Sequence, residues 1–282
     1  MSFMNLVEYS DAASFLHRTK NFLLANEAKN NFVFSSAIAM ARTSTPRSKR
    51  FGFYIVEENA KIVCAGLNAV DRRLYLSVAE EQEALFLGVE LGGRKIKVKG
   101  VLGPEPAASL FCAAFNETSV DTKLEVRHHH SSYKLETLIQ KPLAHGIMRT
   151  AHDKDFKTLL AWTRQFVEEC NLGETQTESE ELVRRYIESK QFFIWENPHP
   201  VAMAGFSGQT LNGVRVNMVY TDPIARAKGY AGSLVQTLSA KLLGTGHKFC
   251  FLLADRENQA ANRIYESLGY QRIGDFTDFE SH

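Results

Sequence analysis

Four cysteines are all that 282 residues hold, and Cys64, Cys112, Cys170 and Cys250 include no CxxC pair. That excludes a disulfide framework and a zinc ribbon, and it suits reduced thiols in a cytoplasmic protein. An excess of one charge sign is missing too. Thirty-three Lys and Arg against 32 Asp and Glu leave a net +1, which gives no electrostatic reason to expect nucleic acid as a partner. No apolar run approaches membrane-spanning length, and residues 1–10 lack the basic and apolar regions of a secretory signal. No Walker loop, dinucleotide-binding glycine fingerprint or Ser-His-Asp order is present. What is there is an ordinary globular composition, 44% hydrophobic and 23% charged. The length is comfortable for two domains.

The informative stretch is residues 219–270. Residues 214–221 are β-prone and mostly apolar, and Asp222-Pro223 marks a turn. Beyond Arg226-Ala227-Lys228-Gly229-Tyr230-Ala231-Gly232, the residues Ala231, Leu234, Val235, Leu238 and Leu242 recur at helical spacing. A strand therefore runs through a short loop into a buried helix. The first amides of that helix have no internal partner, and its dipole is positive there, so the junction can hold an anion. Gly229 permits close backbone approach, Ala231 keeps the first turn small, and Arg226 and Lys228 add charge. An ordinary strand-helix turn with solvated cations has the same local pattern.

An apolar run at residues 249–254 then leads to a second helix starting near Asn258 and stopping at Gly269, a good C′ residue. Asn258, Asn262 and Tyr265 share one face of it, beside an apolar face of Ala261, Ile264 and Leu268. Asn258 suits the N-cap position. Arg-x-x-Gly-x-Ala, then Asn258, then Ile264-Tyr265-x-x-x-Gly269-Tyr270 resemble, in content and order, the acyl-CoA-binding half of the GNAT superfamily of N-acetyltransferases. The resemblance implies an α/β (α+β) fold, a mixed and mostly antiparallel twisted sheet flanked by helices. It implies acetyl-CoA as cosubstrate, no metal, and direct transfer to a small-molecule or peptide amine in a ternary complex. The pantetheine arm would lie along Val219, Tyr220 and Thr221 like an added strand. The pyrophosphate would meet amides of Arg226, Ala227, Lys228, Gly229, Tyr230, Ala231 and Gly232. Asn258 would contact the pantetheine, alone or together with its capping role, and a backbone N–H near Val219 would polarise the thioester carbonyl. Tyr265 would protonate the departing thiolate, unless it is simply a core tyrosine. Glu196 is a candidate base for the acceptor amine, with an exposed turn residue as the plainer reading.

The chain also repeats itself. Residues 55–67 align without gaps to residues 194–206, each reading as a hairpin that ends in Ala-Gly-apolar. Helical patterning precedes both, with Phe15, Leu16, Phe22 and Leu23 in the first and Phe156, Leu159, Leu160, Phe166 and Val167 in the second. Two tandem domains of the same family are expected, residues 1–143 and 144–282, divided near Lys141-Pro142. In the first, the phosphate loop is expected at residues 97–106. There Glu105, Pro104 and Pro106 offer a competing carboxylate and two missing donors, so this half reads as degenerate.

Lesser features carry other readings. His128-His129-His130 alternate across a strand and cannot converge on one ion, so they read as an exposed strand end. Arg42, Arg47, Lys49 and Arg50 form a basic segment that reads as a solvated loop, or as a site for an acidic group. The chain is expected to be a monomer or homodimer that touches neither nucleic acid nor membrane. A non-catalytic acyl-CoA-binding or sensing module is the alternative to an enzyme, and a purely structural scaffold is a third reading.

Overall fold

Asp11 turns the chain from strand into helix: its side chain accepts the Ser14 amide at 2.8 Å and caps the first helix. The computed structural model describes residues 3–42, 51–69, 73–172 and 175–281, so Arg47, Lys49 and Arg50 lie outside the described residues. The elements are β1 Met4–Tyr9, α1 Ala12–Ala25, α2 Asn31–Arg42, β2 Phe51–Glu58, β3 Lys61–Ala69, β4 Leu74–Leu76, α3 Glu81–Gly93, β5 Gly100–Pro104, α4 Ala107–Thr118 and β6 Leu124–Leu135. The same order then recurs: β7 Ile147–Thr150, α5 Phe156–Glu169, α6 Gln176–Glu188, β8 Phe192–Glu196, β9 Pro200–Ser207, β10 Gly213–Thr221, α7 Tyr230–Gly244, β11 Phe249–Asp255, α8 Gln259–Ser267 and β12 Gln271–Ser281. The mixed α/β class, with most strand pairs antiparallel, agrees with the expectation.

Both expected hairpins form, and each carries a register shift at the matching step, Val56/Glu57 in one and Trp195/Glu196 in the other. Their turns differ. Asn59 and Ala60, both with positive φ, close the first, whereas the second spans Asn197, Pro198 and His199, with the Asn197 amide bonded to the His199 carbonyl. A capping box of Thr175 and Glu178 starts α6, each side chain accepting the other residue's amide.

The compact units do not follow a single cut in the chain. One unit comprises Met1–Ser132, Gly208–Leu211 and Ile273–His282; the other comprises Tyr133–Ser207 and Asn212–Arg272. The first unit's strands run β1, β2, β3, β4, β5, β12, β6, so the last strand of the sequence pairs with β5, Phe276 opposite Pro104 and Glu280 opposite Gly100. In the second unit the end of β6, residues 133–135, is followed by β11, β10, β9, β8 and β7. Tyr133 and Leu135 are buried there in a core with Leu234, Val235 and Leu238 of α7 and Tyr265 of α8. On the other face Leu159, Trp162, Val183 and Tyr186 of α5 and α6 cover Phe192, Ile194 and Met203.

Asp278 of β12 is buried beside Arg73, whose Nε approaches its Oδ1 at 2.7 Å without forming an aligned hydrogen bond. Burial pushes the Asp278 carboxyl up to about 6. The three histidines lie mid-strand in β6: His128 and His130 have ring centroids 5.9 Å apart, while His129 Nδ1 meets Thr277 Oγ1 at 3.0 Å. The four cysteines are free thiols, as expected.

Candidate functional site

β10 has a strand on each side only at its start. Gly213, Val214 and Arg215 run parallel to Phe249, Cys250 and Phe251 of β11, and the register ends there. Residues 216–221 therefore present an edge whose amides and carbonyls have no partner strand on the β11 side among the described residues. On the opposite side, Asn217 pairs with Gly205 and Tyr220 with Met203, so Met218 and Val219 together face the single residue Ala204. Met218 takes a left-handed φ of 52°, the mark of a bulge that re-aims the strand. The open edge and the bulge make a slot that an extended, amide-bearing chain can enter as an added strand.

The slot ends at a loop built by local chemistry. Asp222 accepts the Ile224 amide at 3.1 Å and the Trp162 indole at 3.2 Å, fixing a 3-10 turn over Pro223–Ala225. Ala227 and Gly229 both take left-handed backbone, φ 62° and 79°. Gly229 stands at the N-cap of α7, so no N-cap side chain takes the first amides of Tyr230, Ala231 and Gly232. A side chain at Gly229 would meet only the Ala144 Cβ, at 3.8 Å. An uncapped helix start of this kind suits an anion, and the cradle has Lys228 exposed beside it. A strap from the linker holds the helix in place. The Ala144 amide donates to Ser233 Oγ at 2.8 Å, and the Lys141 backbone exchanges two hydrogen bonds with Gln236.

Arg226 is not free in this cradle. Its Nη2 donates to both Glu169 carboxylate oxygens, at 2.7 and 2.9 Å, and its Nε to the Thr221 carbonyl at 3.2 Å. The guanidinium sits 5.2 Å from the Tyr220 ring, and the Tyr220 hydroxyl itself donates to Glu169 or Gln165. The Glu169 carboxylate holds the Arg226 guanidinium above its usual pKa.

Asn258 caps α8 by accepting the Ala261 amide at 3.0 Å, and it is exposed. Asn262 turns back to the Asp255 and Arg256 carbonyls. Gly269, at φ 96°, ends the helix, and the Tyr270 amide bonds the Tyr265 carbonyl. Tyr265 is buried between Tyr133, with ring centroids 6.1 Å apart, and Tyr270 at 5.9 Å. Burial pushes its phenol well above the usual value, so it keeps its proton at neutral pH. Cys170, at the end of α5, has its thiol pushed up to about 11, mainly by burial. Glu196 does not suit the role of base. Arg149 binds it at 3.0 Å while also gripping Asp155, and that hydrogen bond holds the Glu196 carboxyl below its usual range.

The family model for FR47-like protein matches residues 202–278, the span that holds β10, the cradle and α8. A GCN5-related N-acetyltransferase from Sphaerobacter thermophilus superposes with a TM-score of 0.62 at 14% identity, over 97% of this chain and 94% of that one. An acetyltransferase of the GNAT family from Colwellia psychrerythraea gives 0.57 at 16%, over 99% and 100%. A tandem GNAT protein from the clavulanic acid biosynthesis pathway gives 0.57 at 11%, over 99% and 98%. The chain has the GNAT fold. No curated protein matches it in sequence.

Element by element, the GNAT order corrects one sequence expectation. The counterpart of the cradle in the first unit follows β4, at residues 77–80, and not residues 97–106, which form β5 and the entry to α4. The reason for the error is that β4 has only three residues, too few to leave a strand pattern. At the true junction Asn30 Oδ1 takes the Val78 amide at 2.9 Å, and Glu80, Glu81 and Glu83 crowd the start of α3. Carboxylates at a helix N-terminus repel phosphate, so the β4–α3 junction does not suit one. Sequence reasoning also missed Glu169, Tyr133 and Asn197, whose Nδ2 donates to the Tyr230 hydroxyl at 2.9 Å. Each meets the site across a long stretch of chain and leaves no local pattern.

Proposed function

We propose that the second unit binds acetyl-CoA and transfers its acetyl group directly to an amine acceptor, in a tandem GNAT arrangement whose first unit is degenerate. The observation that carries this reading is the open edge of β10 leading straight into the uncapped start of α7. Pantetheine amides would pair along residues 219–221, and amides of residues 227–232 would hold the pyrophosphate. Asn258 caps α8 through its Oδ1, which leaves the amide nitrogen able to donate to the pantetheine arm.

The acceptor must arrive as the neutral amine. Its nitrogen would attack the thioester carbonyl, whose oxygen is polarised by a backbone N–H near Val219, where the bulge turns amides out of the β9 ladder. The carbon–sulfur bond breaks, the Tyr265 proton passes to the thiolate, and the proton lost by the nitrogen passes to solvent. Solvent then restores the phenol. The acceptor would be a small-molecule or peptide amine, and the working assembly a monomer or homodimer in the cytoplasm. No helix among the described residues is long and apolar enough to cross a membrane.

Calorimetric titration with CoA and acetyl-CoA, followed by thiol release over a panel of amines, tests the reading. Binding with turnover is the expected result. Binding without turnover on any amine would favour an acyl-CoA sensor, and no binding at millimolar cofactor would remove the reading.

A further inference from the structure

We propose that Glu169 is a positioning residue for the pyrophosphate cradle: it fixes Arg226 as a strut within the loop, leaving the phosphates to backbone amides and Lys228. The inference rests on the acyl-CoA reading above. It reverses the role that the sequence motif suggests for Arg226, and it adds a residue from α5, outside the motif altogether.

The anchors of Arg226 come from the end of α5 and the end of β10. Nη2 is shared by the two Glu169 oxygens, Nε is taken by the Thr221 carbonyl, and the guanidinium faces the Tyr220 ring. Glu169 is itself tied to the same strand, since the Tyr220 hydroxyl lies 3.1 Å from its Oε1. The four residues thus close a ring that joins the end of α5, the end of β10 and the first residue of the cradle. The next residue, Ala227, holds a left-handed φ of 62° without being glycine. Such a conformation persists only where its surroundings hold it, and the clamp on Arg226 is one residue away. A loop held in its bound shape loses less freedom when ligand arrives. Electrostatics agree. A guanidinium already neutralised by a carboxylate adds little attraction for phosphate, and a phosphate drawn to it would also approach Glu169.

The partners are 46% and 48% exposed, so the effect is modest. Titration of the full chain with CoA should show Kd rising about two- to fivefold in Glu169→Ala and in Arg226→Ala, the range of an exposed ion pair. The double variant should be no worse than either single one, because both remove the same strut. Once an acceptor is in hand, KM for acetyl-CoA should rise while kcat holds, with the melting temperature unchanged. Glu169→Gln, which keeps an acceptor oxygen for Nη2, should recover part of the affinity and guards against a fold defect in the alanine variant. Unchanged or tighter CoA binding in Glu169→Ala, together with a loss in Arg226→Ala, would make Arg226 a direct phosphate ligand and overturn the proposal. Additive losses would overturn it as well. Failure of the wild-type chain to bind CoA would instead take away the functional reading, and the strut with it.

Discussion

The Tyr133 hydroxyl donates to Glu266 at 3.2 Å, and its ring lies beside that of Tyr265, one residue earlier on α8. Tyr133 comes from β6, before the linker, yet it packs within the unit that carries the candidate site. A boundary drawn at residue 143 separates the two.

Residues 144–282 expressed alone should therefore fold poorly. They lack Tyr133 and Leu135 from the core, and they leave the residues of β12 that pair with β5 without a partner. Loss of buried side chains of this size costs on the order of 2–5 kcal/mol each. Near-UV circular dichroism and thermal melting against the full chain measure this. A cooperative melt within a few degrees of the full chain would contradict it.

Gly229→Val should abolish detectable CoA binding and spare most of the fold. The side chain has room, with only Ala144 within reach, so the structural cost is that of a left-handed φ, roughly 1–2 kcal/mol. The added methyls stand where a phosphate must meet the amides. Calorimetry for affinity, with a melt for the fold, separates the two effects; wild-type affinity in a folded variant would show that the cradle is not used.

Tyr265→Phe should lower turnover by about tenfold to a hundredfold, the low end for general acids, while Kd for acetyl-CoA stays within about twofold. The ring contacts with Tyr133 and Tyr270 survive the change. Single-turnover rates with a cognate amine decide it. An unchanged chemical step would pass the proton transfer to water or another group.

Asp278 gives the first unit a pH signature. Its carboxyl is raised to about 6 in the fold, against an ordinary value near 4, so the folded chain holds a proton that the unfolded chain has released between those limits. Stability from this group is thus present below about pH 4, falls as pH rises towards 6, and is flat beyond, with a slope of at most ~1.4 kcal/mol per pH unit. Asp278→Asn strips Arg73 of its counter-charge and shifts stability at every pH, so the slope is the reporter. Urea unfolding from pH 4 to 7 should show the stability of the wild type falling more steeply with rising pH, or rising less, than that of the variant; identical slopes would refute the assignment.

Much of the site was legible because it is local. The apolar stretch ending at Thr221, the buried face of α7, the Asn258 cap and the Gly269 stop follow from spacing and turn chemistry within a few residues. The hairpins were readable for the same reason. What escaped is pairing over distance. Glu169 reaches Arg226 across 57 residues, and neither residue type at its position announces the other. β12 is an ordinary strand by pattern, and nothing in it names β5 as its neighbour. The first unit's junction was misplaced because Gly103-Pro104-Glu105-Pro106 has stronger turn chemistry than the three-residue β4.

The placement of β12 sets an order on the birth of the molecule. As the polypeptide leaves the ribosome, residues 273–281 emerge after the other residues of both units, so β5 waits with an unpaired edge while residues 105–272 are made. Until then that edge is open to the same strand of another nascent copy, the circumstance in which neighbouring chains trade segments. A nonsense codon within β12 would spare the Arg226–Gly232 cradle and Tyr265, and the damage would fall instead on the part of the protein that was made first.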